Sequence, residues 1–192
     1  MHTTLNAFDI SRWLAERAEP LRERWLARVR GRVEDARGDG RNELTEAFLD
    51  LFIDILPLCM SPVRDHAEPL WDRTAELFGS FAANRGLAAG EVIEEVQILR
   101  ECVIRMLYQD PPHAPFGARA LRDVLHLNGL ADRLVTHASV GHTDSLFFAL
   151  FQGSGAPEAL SDEVRYELRG QLEGIRGELE ALERHARENG TS

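Results

Sequence analysis

The stretch AAGEVIEEVQILRECVIRMLY, residues 88–108, decides the fold class of this chain. Its apolar residues recur every three or four positions over about six turns, which is the spacing of one face of an α-helix. The residues on that face are Val92, Val96, Leu99, Val103, Met106 and Leu107, and Ile93, Ile98 and Ile104 broaden it. No two-residue alternation typical of a strand competes with this pattern. We therefore predict a long, largely buried helix here.

The same helical spacing recurs on both sides of this stretch and predicts an all-α bundle of about six helices in residues 1–152. Asn84-Arg85-Gly86 predicts the end of the preceding helix, because glycine adopts the left-handed conformation at low cost. The sixth helical region extends from Ala118 towards Phe151, and Gly129 or Gly141 is expected to break or bend it.

A Gly-Ser-Gly-Ala-Pro sequence, residues 153–157, predicts a flexible joint over residues 153–159. Residues 160–192 then form a last helix, capped by Ser161, with a heptad seam. The seam consists of Leu168, Leu172, Ile175, Leu179 and Leu182.

Composition narrows the possible partners. The formal net charge is -10, and the basic residues are interleaved with acidic ones, which disfavours nucleic acid as a ligand. No run approaches the roughly 18 apolar residues of a membrane span, and the first residues lack the pattern of a signal peptide. Cys59 and Cys102 are too few and too far apart for a disulfide framework. We therefore expect a cytoplasmic protein with no membrane contact.

The polar residues do not form a recognisable catalytic or metal-binding motif. The exposed side of residues 88–108 is expected to carry Glu91, Glu94, Glu95 and Glu101 as solvated charges. His137 and His142 are five residues apart, whereas zinc-binding pairs on helices are three or four apart. We expect no metal, no cofactor and no enzymatic activity.

Residues 78–107, FGSFAANRGLAAGEVIEEVQILRECVIRML, combine a helix ending in Arg-Gly with a helix that carries spaced acidic residues and a Leu99-Arg100 pair. This pattern resembles the N-terminal domain of RsbR-type stressosome proteins, the RsbT co-antagonist N-terminal family, which also precedes kinases in bacterial sensor histidine kinases. Trp71 is similar to a tryptophan of that family, and the resemblance extends over residues 10–167, although its specific part is about thirty residues. It implies a globin-like fold without haem, a homodimer, and a downstream signalling protein or output domain.

Three functions are consistent with this sequence. The first is a non-catalytic sensory module of bacterial signal transduction; the second is a haem-binding globin-type sensor with His126 or His137 as the iron ligand. The third is a helical partner-binding scaffold without a ligand. A sensed ligand is expected between the helices that begin near Glu68 and Ala88 and the sixth helix. The candidate lining residues are Phe78, Phe81, Val96, Leu99, Val103, Leu127 and Leu134.

The seam of the last helix is as narrow as a stripe that packs against a single partner helix. We expect it to act as a dimer or relay helix, with most of the dimer contact supplied by the globular part, through the first two helices with Trp13 and Trp25. The alternative is that the last helix folds back onto its own domain.

Overall fold

The computed structural model describes residues 10–33, 39–110, 118–151 and 161–190, and within these ranges it is helical apart from short turns. The all-α prediction is confirmed, and the helix over residues 88–108 is found at Ala89–Gln109. The joint predicted over residues 153–159 lies outside the described residues. The helices are α1 (Ile10–Glu16), α2 (Ala18–Val33), α3 (Asp39–Cys59), α4 (Arg64–Asn84), α5 (Ala89–Gln109), α6 (Ala118–Phe151) and α7 (Asp162–Gly190).

Aromatic side chains fill the centre of the bundle. The rings of Phe48 and Phe81 stack with centroids 5.2 Å apart, and Phe52 meets Trp71 edge to face at 5.2 Å. These arrangements are the ones that the ring quadrupoles favour. The indole N–H of Trp71 donates to the carbonyl of Leu130 at 3.0 Å, which satisfies the polar atom of a side chain that is almost completely buried.

Both tryptophans of the first two helices also belong to this core. Trp25 is 1% exposed and donates its indole N–H to the carbonyl of Glu95 at 3.1 Å. Trp13 is buried as well, and its indole N–H donates to the carbonyl of Asp110 at 3.3 Å. These two side chains are thus used inside one chain, while a dimer contact through the first two helices stays a prediction.

Helices α4 and α6 cross at unusually close range. A Cβ atom added to Gly79 would lie 1.9 Å from the carbonyl oxygen of Ala138, and one added to Gly141 would lie 1.9 Å from the carbonyl oxygen of Glu76. Glycine therefore brings the two backbones together, and α6 continues past both of its glycines as one helix. The prediction that Gly129 or Gly141 breaks the helix is wrong for a physical reason: Gly141 makes room for α4.

The turn from α4 to α5 follows the sequence prediction. Gly86 has a φ of +79°, the left-handed conformation that lets the chain leave the helix. Its N–H donates to the carbonyl of Ala83 at 2.9 Å, and the N–H of Leu87 donates to that of Ala82 at 3.1 Å. These two bonds are the Schellman pattern, which satisfies carbonyls that the helix end leaves open.

The last helix packs on its own domain. Its seam residues Leu168, Leu172, Ile175 and Leu179 are buried, and α7 contacts α3 and α4. Arg73 of α4 pairs with Glu178, and Arg169 pairs with Glu43 at the start of α3 at 2.7 Å. The fold-back arrangement is thus the one that the structure contains, while a relay function of this helix stays a prediction.

Candidate functional site

A groove with a volume of about 690 Å³ lies between α4, α6 and α7. The Oγ atoms of Ser80 and Ser145 share a hydrogen bond of 2.7 Å across its floor. Gly141 lets α6 lie close to α4, and α7, which packs on α3 and α4, borders the groove on its other side. Its lining residues mix hydroxyl, amide, charged and apolar side chains: Arg73, Glu76, Leu77, Ser80, Asn84, Gly141, Asp144, Ser145, Phe148, Ala149, Val164, Glu167, Leu168 and Gln171.

The described residues of the groove offer hydrogen-bonding groups, and its two serines bond to each other rather than to a histidine. Ser145 bonds to another serine, and His142, three residues earlier, has its Nε2 2.8 Å from the carbonyl of Leu87. A serine nucleophile needs a base within hydrogen-bonding reach, and the bonds of Ser145 and His142 lead to other groups. The hydroxyl and amide groups of the arrangement can hold a polar molecule or a peptide segment through hydrogen bonds.

The predicted ligand-lining residues lie in two places. Phe78, Phe81, Val96 and Leu134 are part of the packed core. Leu99, Val103 and Leu127 border a small apolar cavity between α5 and α6, with Trp71 and Leu107. This cavity measures about 30 Å³, which is the space that one water molecule takes in the liquid. The assignment of these residues to a ligand stays a prediction.

The two histidines of the haem alternative face a row of carboxylates on α4. The Nδ1 of His137 lies 2.8 Å from Glu76, and its Nε2 lies 3.4 Å from Asp72. The Nε2 of His126 lies 3.1 Å from the carbonyl of Cys59 and 3.7 Å from Glu68. A haem iron could bind His137, or the Nε2 of His126, only by displacing these contacts.

A buried ion pair connects α5 to the end of α4. Arg85 and Glu95 form two hydrogen bonds of 3.2 Å each, and both side chains are nearly inaccessible to solvent. The guanidinium of Arg85 also lies over the ring of Phe81, 5.4 Å from its centroid. The expectation that Glu95 is a solvated charge is wrong, because its position three residues after Val92 places it on the buried face of α5.

The position of Glu95 in the sequence already indicates that its side chain is buried, and sequence reasoning missed this signal. Glu95 is three residues after Val92 and four before Leu99, so it shares the apolar side of the helix with them. A charge at such a position requires a partner of opposite sign, since an unpaired buried charge is very costly. Arg85, at the predicted end of the preceding helix, was the nearest cationic residue in the sequence before it.

Helix α6 also presents a long exposed face on the side away from α4. The residues of this α6 face are spaced three or four apart, so that they form one stripe. All of them are exposed: Leu121, Leu125, Gly129, Asp132, Thr136, Val140, Thr143, Phe147 and Phe151. Asp132 is the charged member of the stripe, and Arg100 of α5 pairs with it. Sequence reasoning assigned these apolar residues to the body of the domain and did not predict this face.

The thiols of Cys59 and Cys102 both lie in buried surroundings. Burial raises the pKa of Cys59 far above its usual range, and burial also raises the pKa of Cys102, against the effect of the nearby Arg28. Both side chains are buried. In the part of the chain that the structure describes, no group of three or more histidine, cysteine, aspartate or glutamate side chains is arranged so that it could hold a metal ion.

Comparison with known proteins identifies no relative. No family model, no curated protein and no solved structure matches the chain. None of the described helices combines the length and the apolar character needed to cross a membrane.

Proposed function

We propose that this chain is a non-catalytic regulatory module of signal transduction that acts by binding other protein chains. The observation that carries the proposal is the α6 face. Soluble monomers seldom expose a contiguous apolar patch of more than a few hundred Å², and a larger one usually marks an interaction site. Here Leu125 is 61% exposed and Phe151 88% exposed on a domain whose interior is filled. The assignment to signalling rests on the sequence resemblance to RsbR-type sensor domains.

The proposal is tested by affinity capture from an extract of the source organism, with the retained proteins identified by mass spectrometry. The bait is the tagged full chain, compared with Val140→Glu, which puts a charge in the middle of the α6 face, and with Tyr166→Glu, which puts the same charge on an exposed residue of α7. We expect wild type and Tyr166→Glu to retain a signalling protein, a second copy of the chain, or both, and Val140→Glu to lose at least one of them. Identical sets from all three baits would contradict the proposal.

A second candidate function is small-molecule sensing in the groove between α4, α6 and α7. Its volume of about 690 Å³ lies within the usual range of ligand sites, and Ser80, Asn84 and Gln171 offer hydrogen-bonding groups to a polar ligand. Native mass spectrometry of the purified chain tests this function directly. A bound molecule would add a fixed mass to the 21.6 kDa chain, and Ser80→Val should weaken its retention. The absence of any adduct from protein purified out of the source organism would count against sensing in the groove.

The haem alternative has a simple test of its own. The purified chain, supplied with haem, should show a Soret absorption band that disappears with His126→Ala or His137→Ala if either ring binds iron. We expect no such band, because both nitrogens of His137 and the Nε2 of His126 already contact protein groups on neighbouring elements.

A further inference from the structure

The α6 face has a symmetry about its midpoint. Leu125 and Phe147 are each eleven residues from Thr136, and Leu121 and Phe151 are each fifteen residues from it. Between these pairs, Gly129 and Thr143 are each seven residues from Thr136, and Asp132 and Val140 are each four residues from it. Large apolar side chains thus occupy both ends of the stripe, and the residues nearer the middle are small or medium-sized. When a second copy of the stripe is laid antiparallel to the first, its large residues lie opposite large residues and its smaller residues lie opposite smaller ones.

We propose that the α6 face binds a second copy of the chain, with the two α6 helices antiparallel and the two-fold axis at Thr136. This inference rests on the proposed function and names the partner that the face accepts. A two-fold interface is formed by the same patch on both subunits, so the patch must be complementary to itself. In this pairing Leu125 meets Phe147 of the other copy, and Gly129 meets Thr143. Two Thr136 side chains meet at the axis.

Charge favours the antiparallel direction over the parallel one. A parallel pair in register would place the two Asp132 carboxylates opposite each other, and like charges across an interface are unfavourable. The antiparallel pair places each Asp132 opposite Val140 instead, so the two ion pairs of Asp132 with Arg100 stay apart.

The exposed area is of the size that a stable dimer needs. Phe147 is 55% exposed and Phe151 is 88% exposed, so these two rings alone offer roughly 300 Å², taking about 200 Å² for a whole ring. Leu121, Leu125 and Val140 extend the apolar surface along the helix. A typical specific interface buries about 800 Å² on each partner, and a helix of this length, about 50 Å, can supply that area.

Helix α5 adds to the same surface. Ile104 borders the small cavity together with Val124 and Asn128, so the C-terminal part of α5 lies beside the N-terminal part of α6. Ile104 and Tyr108 are both exposed there, and Tyr108 is 84% exposed. In the antiparallel pair this part of α5 flanks the end of the partner's α6, the end that carries the exposed phenylalanines. The parallel pair would leave the exposed phenylalanines at the opposite end from α5.

The first measurement is the mass of the full chain by light scattering at tens of micromolar. We expect twice the monomer mass of 21.6 kDa. Val140→Glu should raise the dimer dissociation constant about tenfold or more, because the new carboxylate lies opposite the partner's Asp132. Tyr166→Glu, a control on α7, should leave it unchanged. A monomeric wild-type chain, or a dimer that Val140→Glu does not weaken, would overturn the inference.

The second measurement fixes the direction with variants that each carry one added, exposed cysteine, and a short bismaleimide. Thr136→Cys should cross-link to itself. Leu125→Cys and Phe147→Cys should each fail alone and cross-link when mixed, because the two copies of residue 125 lie about 33 Å apart in the antiparallel pair. Wild-type protein is the control, since Cys59 and Cys102 are buried and should not react. Because all three substituted positions are exposed, we expect the variants to fold.

Cross-linking of Leu125→Cys to itself would show a parallel pair and would refute the proposed arrangement. Failure of this inference is distinct from failure of the proposed function. If the purified chain is monomeric while the capture experiment still retains a different protein that Val140→Glu loses, the self-pairing is wrong and the role in binding other proteins stands. If all three baits retain identical sets, the proposed function itself is wrong.

Discussion

Gly141→Ala should destabilise this protein, although glycine-to-alanine changes inside helices ordinarily do the opposite. Alanine in a helix interior is favoured over glycine by about 1 kcal/mol. At Gly141, however, the added Cβ would lie 1.9 Å from the carbonyl oxygen of Glu76 and 2.7 Å from its carbonyl carbon. Because both atoms belong to the backbone of α4, no side-chain rotation can relieve the contact, and the two helices must move apart.

Overpacking of this kind costs about 1–3 kcal/mol, and occasionally more. The matched control is Gly174→Ala in α7, where an added Cβ would meet nothing within 4 Å. The control should gain the usual helix propensity, about 1 kcal/mol. Because both variants gain this propensity, they should differ by the overpacking cost, roughly 1–3 kcal/mol in free energy of unfolding, which corresponds to a difference in Tm on the order of 2–12 °C for a chain of this size.

Urea and thermal unfolding followed by far-ultraviolet circular dichroism measure this difference, at one fixed protein concentration because self-association shifts apparent stability. Gly79→Ala, on the other side of the same crossing, should behave like Gly141→Ala, since its Cβ would lie 1.9 Å from the carbonyl oxygen of Ala138. If Gly141→Ala proves as stable as Gly174→Ala, the two backbones do not approach as closely as described, and the explanation of the unbroken α6 fails with it.

Three further predictions concern the buried ion pair of Arg85 with Glu95, the two buried thiols, and the partly buried Asp54. Arg85→Met or Glu95→Leu alone should cost about 3–5 kcal/mol, because either change leaves one buried charge unpaired. The double variant Arg85→Met/Glu95→Leu should cost much less, and urea unfolding of all three variants measures the coupling. A thiol reagent should modify neither Cys59 nor Cys102 in native protein and both in denaturant, since burial raises both pKa values; rapid native labelling would contradict this. Burial raises the pKa of Asp54, so the stability that this group contributes is complete below the ordinary aspartate pKa and is lost as the pH rises through the raised pKa. Because Asp54→Asn removes the titrating group, the part of the free energy of unfolding that falls with rising pH should be smaller in this variant than in wild type. Urea unfolding across the acidic range measures this, and an identical pH dependence in the two proteins would refute the assignment.

The sequence predicted the helices well because their signals are local. The stripe from Val92 to Leu107 and the left-handed Gly86 each specify structure within a few turns, and both are found as expected. Ser161 likewise caps the last helix, where its Oγ accepts a hydrogen bond from the N–H of Val164 at 3.3 Å. These features depend on neighbours in the chain, so a single sequence contains them.

The features that shape the candidate sites depend on distant residues instead. Gly141 looks like a helix breaker until Glu76 is placed against it, sixty-five residues earlier in the chain. His137 looks like a free ligand until Asp72 and Glu76 occupy both of its nitrogens. Periodicity identifies the buried side of a helix but not the helix that covers it. For that reason the groove and the α6 face could not be read from the sequence.

The two apolar stripes, on α6 and on α7, differ in what can cover them, and this difference decides which one serves a second chain. Docking α7 onto α3 and α4 closes a connection of nine residues between Phe151 and Ser161, an entropic cost of about 2 kcal/mol. Pairing α7 with another chain would instead cost about 4–15 kcal/mol in lost translational and rotational freedom. The seam from Leu168 to Leu179 is accordingly buried within its own chain. None of the described helices covers the α6 face, so its exposed apolar residues are the ones that remain available to a partner.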